Sequence, residues 1–137
     1  MNHEVEVAWQ SNMTFEGIMG DNIIKMDADV SSGGNNEGIR PKPLLLIGLG
    51  GCSGMDVVSI LKKMKITPDY FSMSISGKIA EEHPKIYEEI HLIYKFKGKN
   101  LPVASLEKAI NLSLEKYCGV VAMLDKSAKI THELVIE

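Results

Sequence analysis

The sequence predicts an α+β fold, with antiparallel sheets around a long buried central helix. Three patterns point there. Strand-like alternation lies on both sides of a long apolar stretch, that stretch carries Gly48, Gly50, Gly51 and Gly54, and apolar residues recur every four positions after Pro102. Strands and helices that come in runs, not in strict alternation, belong to the α+β class. At 137 residues the chain suits a single domain over residues 1–137.

The elements follow in order. Val5, Val7 and Trp9 alternate with polar neighbours, which predicts a first strand with one buried face. Thr14 to Met19 reads as a second strand, Gly20-Asp21-Asn22 as a turn and Ile23 to Ala28 as a third strand, completing an antiparallel meander. Ser31 to Gly38 is polar and without a core former, so it is read as a mobile loop. Pro41 and Pro43 open a helix, because the first-turn amides lack intrahelical partners anyway. It is expected to run to about Met64, before Ile66-Thr67-Pro68. Apolar residues surround it almost completely, which places it in a core or an interface. Each of its glycines costs roughly 1 kcal/mol against alanine, so close approach of another backbone is expected.

Phe71 to Ile79 and Ile86 to Phe96 read as two long strands joined by the turn Glu81 to Lys85. Ile86, Glu88, Ile90, Leu92, Tyr94 and Phe96 fall on one face by alternation, with Glu88 the polar exception near the strand start. Leu106, Ile110 and Leu114 mark a helix after Pro102. Cys118 stands at or just before a second short helix ending near Asp125, and Lys129 to Glu137 is a last strand.

Composition excludes several function classes. A net charge of -3 gives no electrostatic reason to bind nucleic acid or an anionic membrane. The apolar stretch from Leu44 to Val58 is interrupted by Cys52, Ser53, Asp56 and its glycines, so it is read as a buried helix and not a bilayer span. The start, Met1-Asn2-His3-Glu4, has neither a basic region nor an apolar signal core. A cytoplasmic protein with reduced thiols is expected. Two cysteines are too few for a disulfide scaffold or a four-thiolate zinc site, and His3, His91 and His132 show no metal-ligand spacing, so no metal is expected.

The two cysteines are the candidate chemistry. Cys52 and Cys118 both lie in apolar, glycine-marked helical segments, where a thiol is shielded from water yet its acidity can be tuned. Asp56 comes one turn after Cys52 and shares its face. The competing plain reading makes both cysteines small buried residues and Asp56 a buried hydrogen-bonding group.

The run Pro41 to Asp56, with Leu-Gly-Gly-Cys at 49–52 and Met-Asp at 55–56, resembles the OsmC/Ohr family of peroxide-handling thiol proteins. Glu115 to Val120 and the Glu82-His83-Pro84 turn resemble it too, and the likeness covers nearly the whole chain, closest to the less-studied OsmC-like branch. The resemblance implies an intertwined homodimer, with two central helices back to back and active sites at the subunit boundary. It implies Cys52 as the attacking thiol on organic hydroperoxides and Cys118 as the resolving thiol, with a dithiol reductant and no bound cofactor. The best-characterised members place a carboxylate ten residues before the attacking cysteine and pair it with an arginine from the amino-terminal strands. Here that position is Lys42, and the single arginine is Arg40. Arg40 or Lys42 is therefore the candidate cation, with Glu37 restraining Arg40. Two further readings stand beside the peroxidase: a non-catalytic dimer holding a small apolar ligand, and a redox sensor whose oxidation changes the dimer.

Overall fold

The computed structural model describes residues 1–137, which form two compact units, Met1–Leu45 and Leu46–Glu137. The architecture is α+β, as the sequence predicts.

In the first unit, β1 (Glu6–Ser11), β2 (Thr14–Met19) and β3 (Asn22–Met26) form an antiparallel meander. Asn12 at φ 50° and Gly20 at φ 59° take the left-handed conformations that its two tight turns require. The register puts Val7, Trp9, Phe15 and Ile24 on one face of this sheet. All four are exposed, so the buried face expected for the first strand is uncovered in the single chain. The polar loop after β3 is pinned, contrary to the mobile loop expected. The carboxylate of Asp27, which is 1% exposed, accepts the amides of Ala28, Asn35 and Glu37 at 2.7, 3.3 and 3.1 Å. Burial alone would make this carboxyl a weaker acid and raise its pKa. The amides of Glu37, Ala28 and Asn35 and the Thr14 hydroxyl outweigh that and hold it below the ordinary aspartate value.

In the second unit, β4 (Tyr70–Ile79), β5 (Tyr87–Lys97) and β6 (Lys129–Ile136) make a sheet in that order. β4 and β5 are antiparallel, but β5 and β6 are parallel, which corrects the all-antiparallel expectation. The cause is the connection. α2 (Val103–Leu112), a π-helical turn at Ser113–Tyr117 and α3 (Gly119–Leu124) carry the chain back before β6 begins, the kind of long crossover a parallel pair needs. Glu88 also finds its explanation. Lys78 pairs with Glu89 and Ile79 with Tyr87, so Glu88 is the extra residue of a β-bulge. The bulge turns Tyr87 inward and leaves Ile86 exposed. Tyr87 then lies over Gly77, where an added Cβ would meet its ring at 2.5 Å.

α1 (Pro41–Lys63) begins at the predicted proline, and the boundary between the units falls near its start. Leu49, Gly50, Ser53, Val57 and Leu61 form its buried face. This stripe packs on the sheet: Gly50 faces Ile75, and Gly54 faces Met73 and Phe71. The close approach expected at the glycines is thus to side chains, and Gly48 and Gly51 have nothing within 4 Å. Leu45, Ile47, Met55 and Val58 are exposed, so α1 is half-covered and not buried all round. It is long and apolar enough to cross a membrane by length and composition, with a mean hydropathy of 1.9. Its inner stripe is nevertheless committed to a protein core that includes Ile90, Leu92, Tyr94, Phe96, Leu106 and Ile110.

Candidate functional site

The second unit brings Cys52, Asp56 and Cys118 together. The two sulfurs and one Asp56 carboxylate oxygen lie within 4.8 Å of one another. Cys52 and Asp56 stand one turn apart on α1 and are partly buried, whereas Cys118 is 4% exposed. Both thiols are free. A disulfide needs the sulfurs at about 2.05 Å, so closure requires a further approach of the two side chains.

The π-helical turn sets the position of Cys118. Its amide donates to the Ser113 carbonyl at 2.8 Å, five residues back, which ends the turn and makes Cys118 the N-cap of α3. The Cys118 sulfur accepts the Val121 amide at 3.4 Å. Burial, followed by the contact with the Cys52 thiol, pushes Cys118 up to about 11, against the pull of the Val121 and Val120 amides. Cys118 is therefore a neutral thiol at physiological pH.

A buried polar chain reaches the site from β5. Tyr94 Oη and Ser53 Oγ are 2.6 Å apart, Ser53 Oγ and Ser113 Oγ 2.8 Å, and the Ser113 hydroxyl donates to Asp56 Oδ2 at 2.9 Å. Each hydroxyl has a single proton, so the donation of Ser113 to Asp56 fixes the direction. Tyr94 donates to Ser53, Ser53 to Ser113 and Ser113 to Asp56. Ser53, Tyr94 and Ser113 are all fully buried. Burial first, and the nearby Cys118 and Asp56 after it, push Tyr94 up to about 12 despite its bond to Ser53, which keeps it a donor. Beyond it, His132 meets the Tyr94 ring edge-on and pairs with Glu107 at 2.6 Å.

Sequence reasoning missed Ser53, Tyr94 and Ser113 as members of the site. A signal existed for all three. Ser53 sits on an otherwise apolar helix stripe, and Tyr94 on the apolar face of β5. Ser113 comes seven residues after Leu106, four after Ala109 and three after Ile110, so helical spacing puts it on the buried face of α2. A buried hydroxyl in any of these places needs a partner.

The other expected residues fall in the first unit. Arg40 donates to the Gly38 carbonyl at 2.9 Å, to Asp29 at 3.0 Å and to Asn36 at 2.7 Å. Glu37 pairs with Lys25 at 3.5 Å, so Asp29 and Asn36 hold Arg40 in the role expected of Glu37. Lys42 lies in the first turn of α1 and makes no ion pair. His91 binds Thr131 and Glu133, away from the cysteines. Three donors with an open fourth position are the kind of set a soft divalent ion accepts, and Cys52, Asp56 and Cys118 are the residues here that could offer one. An apolar cavity of about 570 Å³ is lined by Val58, Leu61, Ile66, Tyr70 and Phe71, and neither cysteine lines it.

The family described as OsmC-like protein matches residues 33–133, a span that contains both cysteines and Asp56. The chain belongs to the OsmC-like family. Within it, the chain is 35% identical over 133 residues to Protein YhfA of Escherichia coli K12, with 94% of each chain covered. A crystal structure of a hypothetical protein from Aquifex aeolicus superposes with a TM-score of 0.84 at 39% identity, covering 100% of this chain and 98% of that one. The organic hydroperoxide resistance protein OhrB of Bacillus subtilis shares the fold, with a TM-score of 0.67 at 16% identity and 98% of each chain covered.

Proposed function

We propose that this OsmC-like protein is a thiol peroxidase that reduces organic hydroperoxides through Cys52 and Cys118. The observation that carries the reading is two free thiols placed within 4.8 Å, one partly open and one buried. The more open thiol suits attack, and the buried one suits resolution. Cys52 attacks the O–O bond, releasing an alcohol and becoming a sulfenic acid. Cys118 condenses with it to a disulfide, and a dithiol reductant resets the pair. Such a cycle belongs in a reducing cytoplasm.

The working form in this reading is a homodimer over one domain, 1–137. Its support is the apolar surface left open on both units: Val7, Trp9, Phe15 and Ile24 on the first sheet, and Leu45, Ile47, Met55 and Val58 on α1.

The test is consumption of cumene hydroperoxide with dithiothreitol as reductant. The intact protein turns over. Cys52→Ser abolishes turnover, and Cys118→Ser, treated with the peroxide in the absence of dithiothreitol, consumes one equivalent and carries a dimedone-reactive sulfenic acid on Cys52. Turnover retained in Cys52→Ser overturns the reading.

A further inference from the structure

We propose that Asp56 is the proton carrier shared by both half-reactions of the thiol pair, held in place by the Tyr94–Ser53–Ser113 hydroxyl chain; this rests on the peroxidase reading above. Its carboxylate is within 4.8 Å of both sulfurs. A thiol has to lose a proton to attack, and the leaving oxygen has to gain one. A single carboxylate beside both sulfurs serves each end of each step. Asp56 makes no ion pair; the hydroxyl chain Ser113–Ser53–Tyr94 is what its carboxylate meets besides the two thiols.

The protons and electrons balance as follows. In the first step the S–H bond of Cys52 breaks and its proton moves to the Asp56 carboxylate. The sulfur electron pair forms a bond to the terminal peroxide oxygen, and the O–O pair leaves on the alkoxide oxygen. The proton on Asp56 passes to that alkoxide, giving the alcohol. Sulfur loses two electrons and the peroxide gains two. In the second step Asp56 takes the proton of Cys118, the Cys118 sulfur bonds to the Cys52 sulfur, and the S–O bond breaks onto hydroxide. The proton on Asp56 completes water. Carboxylates are weaker bases than thiolates, so each transfer accompanies bond formation and leaves no resting thiolate–carboxylic acid pair.

The hydroxyl chain positions Asp56. The Ser113 hydroxyl occupies Oδ2 at 2.9 Å, and the two bonds behind it polarise that donor. Ser53, Tyr94 and Ser113 come from α1, β5 and the π-helical turn, so three elements fix one carboxylate.

A charge effect and a proton-carrier role differ in sign. Near a thiol, a carboxylate that acts only as a negative charge suppresses the thiolate, so its removal speeds every attack by Cys52. Iodoacetamide releases iodide, which needs no proton, whereas a hydroperoxide releases an alkoxide, which does. Full-length protein in EDTA is compared as wild type, Asp56→Asn, Asp56→Glu and Ser113→Ala. Asp56→Asn slows hydroperoxide reduction, which uses both proton transfers, on the order of 10²-fold, and slows alkylation of Cys52, which uses only the first, by less. Ser113→Ala shows the same split in smaller measure, and Asp56→Glu keeps the peroxide rate within about tenfold of wild type. A peroxide rate in Asp56→Asn equal to or above wild type overturns the proposal. A second measurement does not need peroxidase activity: closure by Cys118 of a mixed disulfide between Cys52 and 2-mercaptoethanol. Asp56→Asn slows that closure at least about tenfold, and equal rates overturn the proton role. A wild type that does not consume hydroperoxide overturns the peroxidase reading alone, and the closure rate still decides the role of Asp56.

Discussion

Cys118 shows how one residue's surroundings divide the labour of a thiol pair. Its sulfur has a helix N-cap and two amides that favour the thiolate, yet burial and Cys52 oppose them and win, pushing it up from 9.0 to about 11. The folded state therefore favours the neutral thiol. Its contribution to stability is complete below the unfolded value and is lost as pH rises through about 11. Labelling should report this directly. In the Cys52→Ser variant, which keeps the burial and loses the Cys52 contribution, iodoacetamide modification of Cys118 still lags a free thiol through the pH range in which a free thiol ionises and climbs only above it. A labelling midpoint at the ordinary thiol value would show that the site does not hold Cys118 neutral. That resistance suits a resolving thiol, which has to wait until a sulfenic acid forms beside it.

Elements place these residues, and not every placement is written in local sequence. The prolines that open α1 and the Gly20 turn of the first sheet were legible because each acts through its own backbone. The Cys52–Asp56 pairing was legible because helical spacing alone puts them on one face. The nearness of Cys118 was implied by the family likeness and by nothing local. Two features escaped because they depend on what a segment pairs with: the bulge at Glu88 is defined by β4, and the parallel direction of β6 by its crossover. The Gly77–Tyr87 contact tests whether the bulge matters for stability. Alanine at 77 would force a Cβ to within 2.5 Å of a rigid ring, so Gly77→Ala should cost about 1–3 kcal/mol, read as a lower urea midpoint. Gly50→Ala meets only the flexible end of Ile75 and gains helix propensity of about 1 kcal/mol, so it should be nearly neutral. Equal losses at both positions would mean that the ring contact has no special weight.

At the scale of the whole molecule, the open question is what covers the apolar surface. Val7, Trp9, Phe15 and Ile24 lie exposed on one sheet face, and α1 exposes Leu45, Ile47, Met55 and Val58 along a helix whose Gly48 and Gly51 have empty space beside them. Full burial of one such side chain contributes about 1.5–3 kcal/mol, so a partner covering even half of them gains several kcal/mol. The proposed dimer supplies that partner, and the two glycines give it a place to approach closely. Gly51→Leu separates this reading from packing within one chain. A Cβ there meets nothing within 4 Å in the single chain, and replacing glycine improves helix propensity by about 0.8–1 kcal/mol, so an isolated chain should become more stable. In the dimer the same side chain fills the space the partner needs. Sedimentation velocity across a concentration series should show the wild type as a dimer and Gly51→Leu with a dissociation constant raised at least about tenfold, a loss of about 1.4 kcal/mol. Trp9→Asp, which puts a charge on the open sheet face, should shift the equilibrium the same way. If both variants sediment as tight dimers, the partner sits on other surfaces. If the wild type is a monomer, the apolar face of α1 has some other cover.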